Sequence, residues 1–215
     1  MANARIKNVL YYLRNIVKTK PEKTAFSDGA VSYSFEQVYD KAGRIGSYLA
    51  DNAIYKKPVV VFMRKSPDEV NAFFGVISGG CFYVHIDEEM PKDRIQLILN
   101  NVQSPLVICD EYTLSVAKGF DIPNGNIMLY GDIIKTETDT KALDEIYERS
   151  LDIDPIYIVF TSGSTGIPKG VAACHRSVID YIEELSETLS FNENTVFGNQ
   201  TPLYFDACLK ELYPT

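Results

Sequence analysis

The chain has 215 residues and 46% of them are hydrophobic, so it can bury a substantial core in one or two globular units. A formal net charge of −8 argues against nucleic acid as a main partner. The sequence also lacks an apolar run long enough to cross a bilayer, so we expect no membrane insertion.

Cysteines and histidines are spread singly along the chain. None of them stands at the spacing of a zinc ligand pair, and there is no CxxC motif. We therefore predict no metal site built from these side chains, and a reducing cytoplasm as the compartment. The residues are Cys81, Cys109, Cys174, Cys208, His85 and His175.

Residues 1–21 carry five basic side chains and no acid. Apolar residues at helical spacing within them predict a packed amphipathic helix. A transit peptide or a membrane-surface helix is the alternative interpretation of this basic segment. The apolar stripe consists of Ile6, Leu10, Leu13 and Val17.

The next segments give local signals for turns, caps and strands. Asp28-Gly29 predicts a hairpin, and Ser34 to Gln37 form a capping box that opens a helix reaching Leu49. The unbroken apolar run Pro58 to Met63 predicts a strand covered on both faces. Ser66, followed by a proline and two acids, opens a helix that ends at Gly79-Gly80.

Strand and helix patterns then alternate, which predicts parallel βα units and a doubly wound α/β fold. Residues 131–154 hold eight acids against three bases, and we interpret them as a solvated connection with one helical turn near Leu143 to Arg149. After it come a strand, a helix with its apolar face at 178–189, and a further strand and helix. Predicted strands are Phe82–Ile86, Leu106–Cys109, Ile127–Tyr130, Ile156–Phe160 and Val196–Asn199; predicted helices are Pro91–Asn100, Tyr112–Ala117 and Ala207–Tyr213.

The segment 161–170 joins the strand Ile156–Phe160 to a loop rich in hydroxyls and glycine that ends in a lysine. Such a loop brings N–H and O–H donors to an anion, and Lys169 adds a full charge. It is not a Walker A element, since Lys169 lies between Pro168 and Gly170. The predicted phosphate-binding residues are Thr161, Ser162, Gly163, Ser164, Thr165, Gly166 and Lys169, with Gly170 allowing close backbone approach.

This loop resembles the phosphate-binding signature of the adenylate-forming superfamily, which includes D-alanine:carrier-protein ligases and the adenylation domains of nonribosomal peptide synthetases. Two earlier stretches, Val31 to Val38 and Ser78 to Asp87, are similar to conserved elements of amino-acid adenylation domains. His85 stands where that family usually has proline, and we interpret it as structural. His175 follows the loop where many members have histidine, and we expect it to orient backbone.

Phe205-Asp206-Ala207-Cys208 resembles the family's Phe-Asp-x-Ser element, with Cys208 in the serine position. The resemblance implies that Asp206 binds the ammonium group of an amino-acid substrate, because a carboxylate pairs well with a cation removed from water. An N-cap of the Ala207–Tyr213 helix is the alternative role.

The resemblance implies an incomplete subdomain of the acyl-adenylate synthetase type, because the family's later elements have no counterpart here. Residues 56–199 would form a nearly complete α/β subdomain, with 1–55 and 200–215 belonging to a second, incomplete one. We expect the front portion of a longer enzyme, and a fragment that self-associates through uncovered apolar surface and is inactive alone.

For the parent enzyme, the resemblance implies activation of an amino acid by ATP with Mg²⁺, giving an aminoacyl-AMP that passes to a carrier-protein thiol. Lys169 and Thr165 are the catalytic candidates. Two rival interpretations are an acyl-CoA or aryl-acid ligase, disfavoured by Asp206, and a non-catalytic nucleotide-binding or interaction fragment. The sequence leaves the amino acid and the oligomeric state open.

Overall fold

A computed structural model describes residues 6–122, 125–161 and 168–215. Within these ranges the chain forms a small hairpin and a sheet of order β6-β5-β3-β4-β7-β8, with parallel pairing except at the antiparallel β7–β8 edge. The strands are β1 (Thr24–Ser27), β2 (Ser32–Ser34), β3 (Pro58–Phe62), β4 (Phe82–His85), β5 (Leu106–Cys109), β6 (Asn126–Leu129), β7 (Pro155–Thr161) and β8 (Lys169–Cys174).

Helices cover both faces of the sheet, which confirms the doubly wound α/β prediction. Those with known bounds are α1 (Leu10–Thr19), α2 (Phe35–Asp51), α3 (Pro67–Ser78), α4 (Lys92–Val102), α5 (Leu114–Ala117), α6 (Tyr130–Ile133), α7 (Thr140–Arg149), α8 (His175–Thr188) and α9 (Leu209–Leu212). No helix in the described ranges combines the length and apolarity needed to cross a bilayer.

The inner strands are buried on both faces, as the apolar run predicts. In β3, Val59, Val60 and Val61 are all fully buried, and their side chains alternate between two hydrophobic clusters. One cluster joins the sheet to α1, α2, α3 and α8, and the other joins it to α4 and α5. Apolar burial of this kind contributes most of the stability of the layered fold.

The helix starts are set by local caps. The Ser34 hydroxyl oxygen accepts a hydrogen bond from the backbone N–H of Gln37, and the Gln37 side-chain oxygen accepts one from the backbone N–H of Ser34, so the predicted capping box is confirmed. Ser66 caps α3 in the same way through the N–H of Glu69, with Pro67 at the first helical position. Gly29 adopts a φ of +89° in the turn of the predicted β1–β2 hairpin, a conformation that glycine takes without strain.

Residues 131–154 are more ordered than the predicted solvated connection, and the helical turn predicted near Leu143 to Arg149 is part of a longer helix. The ten-residue helix α7 occupies the second half of this stretch, starting where the Asp139 side chain accepts a hydrogen bond from the N–H of Ala142. Helix α7 packs on α2 at two glycines, where a Cβ on Gly46 would come within 2.9 Å of Leu143. The acids of α7 are exposed to water, and its apolar side packs against Gly43 and Gly46 of α2.

The predicted strand Val196–Asn199 is wrong, because these residues take no regular structure. The Val196 side chain is 91% exposed, and the ring of Phe197 packs edge-on against Phe191 at 4.8 Å. The carbonyl oxygen of Asn199 accepts a hydrogen bond from Lys65 Nζ at 2.9 Å, so its backbone is bonded to a side chain rather than to a neighbouring strand.

Strand β8 was not anticipated from the sequence. Only its last two residues are half-buried, so it lacks the apolar alternation that identifies a strand. Its pairing with β7 runs from Pro155 opposite Cys174 to Thr161 opposite Lys169. The loop-bearing segment is therefore a β-hairpin at the edge of the sheet, rather than a strand leading directly into a helix.

Candidate functional site

Both described ends of the hairpin loop are fixed by strand pairing. Thr161 and Lys169 are register partners, and the Thr161 hydroxyl donates to the carbonyl oxygen of Lys169 over 3.4 Å. The sequence predictions for Ser162, Gly163, Ser164, Thr165 and Gly166 lie outside the described residues. Strand pairing thus brings together two of the predicted phosphate-binding residues.

Lys169 is exposed on the edge strand and forms no ion pair with any residue in the described ranges. Within the described part of the chain, its ammonium group thus has no carboxylate partner. Gly170 follows it, and an added Cβ there would lie 2.9 Å from Ile158 and 3.2 Å from the Phe160 ring. The space at Gly170 is therefore taken up by strand β7, and the predicted approach of its backbone to an anion stays a prediction.

The loop leaves the sheet at the carboxyl end of β7, beside the parallel strand β4. In open α/β sheets ligands bind in the crevice outside the carboxyl ends of the strands, so this edge is the expected place for a nucleotide. His85 ends β4 and lies at the same edge. The hairpin therefore presents Lys169 where the fold favours ligand binding.

Asp206 lies on the segment Leu203–Leu209, which packs across the ends of β4 and β7. With Tyr83, His85 and Tyr157 it lines a cavity of about 10 Å³. The pKa of Tyr157 is raised to about 12, mainly by burial and then by the negative charge of Asp206. The Asp206 carboxylate itself is exposed at this cavity.

The structure gives the alternative N-cap role of Asp206 no support. The predicted Ala207–Tyr213 helix is a 3₁₀ turn, Asp206–Cys208, followed by the short helix α9. Asp206 is the first residue of that turn, and no side chain forms a capping hydrogen bond at the start of either segment. Its carboxylate also makes no hydrogen bond or ion pair to Thr161 or Lys169, the described ends of the hairpin loop.

The stretch that leads into this segment is anchored by a lysine. Nζ of Lys65 donates to the carbonyl oxygens of Asn199 and Thr201, at 2.9 and 3.0 Å. The side-chain amide of Asn199 donates to Glu211 over 2.6 Å, which ties this stretch to α9. The chain that leads to Asp206 is thus held by both Lys65 and Glu211.

Comparison with known proteins gives a match over residues 13–215 to the family described as AMP-binding enzyme. The chain belongs to this family. D-alanine–D-alanyl carrier protein ligase of Staphylococcus aureus (strain JH9) is 29% identical over 207 residues, which are 96% of this chain and 40% of that protein. The chain therefore spans about 40% of the length of such relatives.

Solved structures show the same fold. The α-methyl-L-serine-AMP bound form of the nonribosomal peptide synthetase FmoA3 (S1046A) superposes with a TM-score of 0.82 at 18% identity, covering 100% of this chain and 23% of that one. VinN in complex with L-aspartate gives 0.82 at 16% identity, covering 96% and 59%. A fatty acid AMP ligase from Legionella pneumophila gives 0.80 at 18% identity, covering 97% and 38%. This AMP-binding domain thus has the adenylation-domain fold of the adenylate-forming superfamily.

His175 of this AMP-binding domain orients backbone, as expected from the sequence. The ring Nδ1 of His175 accepts a hydrogen bond from the backbone N–H of Val9 over 3.2 Å, next to the start of α1. The backbone N–H of His175 donates to the Asp154 carbonyl oxygen. Burial lowers the pKa of His175 to about 4, against the weaker opposite effect of Asp154 and Asp152. The ring is therefore neutral at pH 7 and holds the amino-terminal helix against the β8–α8 junction.

Sequence reasoning missed one buried polar pair at the site. Glu69, interpreted only as a helix-opening acid, has a fully buried side chain, and its Oε1 lies 2.7 Å from Nδ1 of His85. Glu69 and Phe73 are one helical turn apart, and the Phe73 ring also contacts His85. Helical periodicity places Glu69 on the buried face of α3, which was the available signal.

Proposed function

We propose that this AMP-binding domain belongs to a ligase that activates an amino acid as its aminoacyl-AMP and passes the acyl group to a carrier-protein thiol. The observation that carries the proposal is Asp206, an exposed carboxylate at a cavity beside the loop-bearing strand, without a capping role. Similarity to a D-alanine–D-alanyl carrier protein ligase supports the amino-acid and carrier-protein parts.

Division of labour between the two predicted sites follows from their charges. Lys169 would bind the phosphates of ATP and stabilise the negative charge of the departing pyrophosphate, with Thr165 and the other loop donors around it. Asp206 would pair with the substrate ammonium group and orient the carboxylate that attacks the α-phosphorus. A bound Mg²⁺ would neutralise further phosphate charge.

For the 215-residue chain by itself we propose no adenylation activity, and cytoplasmic residence as the compartment of the enzyme. Residues 56–199 would act as the α/β subdomain, with 1–55 and 200–215 contributing to a second one. Self-association through uncovered apolar surface is part of the same proposal.

An acyl- or aryl-acid ligase is the second candidate function, supported by the similarity of the fold to a fatty acid AMP ligase. The two candidates differ in one group of the substrate. An acid without an amine brings no cation to Asp206, so its carboxylate would meet an unneutralised negative charge. Discrimination between an amino acid and its deaminated analogue therefore separates them.

The test is ATP–pyrophosphate exchange, with D-alanine, the common L-amino acids, and propionate as the deaminated analogue of alanine. It is run on the 215-residue chain and on this chain joined to the remainder of the S. aureus D-alanine ligase, starting at the position equivalent to Thr215. We expect no exchange by the chain alone, and exchange by the fusion with one amino acid but not with propionate.

Three results would contradict the proposal. Exchange by the isolated chain would disprove its inactivity, and a preference of the fusion for propionate would favour the acyl-acid ligase. A fusion that unfolds in one cooperative transition yet exchanges with no acid would favour the non-catalytic interpretation.

A further inference from the structure

A buried carboxylate, Glu69, lies against His85, whose ring faces Tyr204 on the segment that carries Asp206. Both oxygens of Glu69 and Nδ1 of His85 lack a well-directed hydrogen bond within the described ranges. The 2.7 Å contact between Glu69 Oε1 and His85 Nδ1 is therefore the whole of their polar pairing. Buried polar groups are usually satisfied, so an exception of this kind calls for a functional reason.

Sharing one proton keeps this pair neutral. With the proton, the two groups are either an ion pair or two neutral groups, and both arrangements avoid a net buried charge. Without it, the pair is a single carboxylate anion enclosed by Phe73 and the sheet, which is costly in an apolar surrounding. Burial raises the pKa of Glu69, more than the adjacent His85 lowers it.

Each element packed on the Glu69–His85 pair contributes titratable groups. Those that are charged, and that either face Glu69 or line the same cavity as His85, are acids. Removal of the proton therefore adds a negative charge to an acidic surrounding. The acids are Asp87 and Glu88 after β4, and Asp206 on the Leu203–Leu209 segment. The groups that are neutral near pH 7 are Tyr83 on β4, Tyr157 on β7, and Tyr204 and Cys208 on the segment. One cation, Lys65, lies near Cys208.

His85 connects the pair to the segment. Its ring lies parallel to that of Tyr204, with an interplanar angle of 7° and a centroid distance of 6.3 Å, and the Tyr204 ring contacts Phe205 at 4.5 Å. His85 and Asp206 line the same small cavity. A change in the charge or position of the His85 ring therefore reaches the backbone of Asp206 through two aromatic neighbours.

We infer that Glu69 and His85 position the Tyr204–Asp206 segment, and that Asp206 is presented for amine binding only while the pair keeps its shared proton. When rising pH removes the proton, hydration of the bare Glu69 carboxylate requires water to enter, and the segment that covers the cavity is the element that moves away. The role of Asp206 rests on the proposed function, whereas the movement of the segment does not.

The absence of tryptophan from the chain gives a direct probe. Tyr204→Trp places a single indole over His85, and its exposure is measured by acrylamide quenching between pH 6 and 10, with far-UV circular dichroism as the record of global folding. We expect the quenching constant to rise about threefold in an alkaline transition while the helical signal is unchanged, as for a local opening.

Two further variants in the Tyr204→Trp background make the test specific. Glu69→Gln keeps the shape of the side chain but has no proton to lose, so the alkaline transition should disappear. Glu36→Gln, on the exposed face of α2, is the matched control and should keep the transition. A purely structural role for the pair would give the same pH profile in all three proteins.

The inference is overturned if Glu69→Gln opens as the Tyr204→Trp protein does, or if the indole stays protected up to the pH of global unfolding. The proposed function is tested separately by calorimetry with D-alanine, the common L-amino acids and propionate on the two sides of the transition. A transition without binding of any amino acid at either pH would count against the amino-acid role of Asp206 and leave the positioning pair standing.

Discussion

The inner strands of the sheet and the β7–β8 hairpin at its edge differ sharply in how far their side chains are buried. Strands β3 and β5 are covered on both faces, and every residue of β5 is buried. Strand β8 has four exposed residues out of six, and the loop it completes is rich in hydroxyl groups. Burial is thus concentrated at the centre of the sheet, and we expect replacement of the exposed edge residues to leave the fold intact.

The largest expected effect tests this contrast directly. Ile108 on β5 is fully buried, whereas Val171 on β8 is 58% exposed. Ile108→Ala should lower the free energy of unfolding by about 2–5 kcal/mol, because it removes buried methyl groups and leaves a cavity. Val171→Ala should change it by less than about 0.5 kcal/mol. Urea unfolding of both variants measures the difference, and equal losses would refute the contrast.

His175 tests how the hairpin is tied to the amino-terminal helix. Its folded-state pKa of about 4 lies below the ordinary 6.5, so the unfolded chain takes up the proton first as the pH falls. The contribution of His175 to the free energy of unfolding is fully present above pH 6.5. As the pH falls from 6.5 to 4, about 3 kcal/mol of it is lost.

Denaturant unfolding at several pH values, with His175→Asn as the comparison, checks this prediction. Asparagine can place an oxygen near the position of Nδ1 and accept the Val9 N–H, but it does not titrate. The variant should therefore lose the part of the pH dependence between 6.5 and 4. An unchanged slope in His175→Asn would show that other groups cause it.

Lys169 tests the ligand-binding side of the comparison. Lys169→Ala should weaken pyrophosphate binding by about 1.5–3 kcal/mol, roughly ten- to a hundredfold, through loss of a charge-assisted contact. Its stability should be unchanged, because the side chain is exposed. Calorimetry compares it with Lys135→Ala, a 75% exposed lysine beyond α6. Equal affinities of the two variants would remove Lys169 from the anion site.

Asp206→Asn carries the smallest expected effect, because the carboxylate is exposed and its charge is partly screened in the free protein. In the fusion with the D-alanine ligase remainder, we expect about a tenfold loss in kcat/KM for the preferred amino acid. The melting temperature should stay the same, since Asp206 makes no capping hydrogen bond. A lower melting temperature with unchanged selectivity would assign it a structural role instead.

The sequence alone determined the features that depend on neighbours within one turn or one strand. The capping box at Ser34, the cap at Ser66, the turn at Gly29 and the doubly covered strand β3 follow from local hydrogen bonding and apolar periodicity. The sequence also predicted an anion site at the 161–170 loop, from its donors and the lysine after a buried strand, and this assignment stays a prediction.

Tertiary structure decided what depends on distant partners. Helix α7 exists as a packed element because α2 offers glycines to it, and β8 exists because β7 pairs with it. The bond from Val9 to His175 spans 166 residues, and the Glu69–His85 pair needs α3 to lie on β4. Helical periodicity marks the buried face on which Glu69 lies, but it does not identify the partner of Glu69 or of His175, because the fold decides which group lies opposite a buried polar side chain.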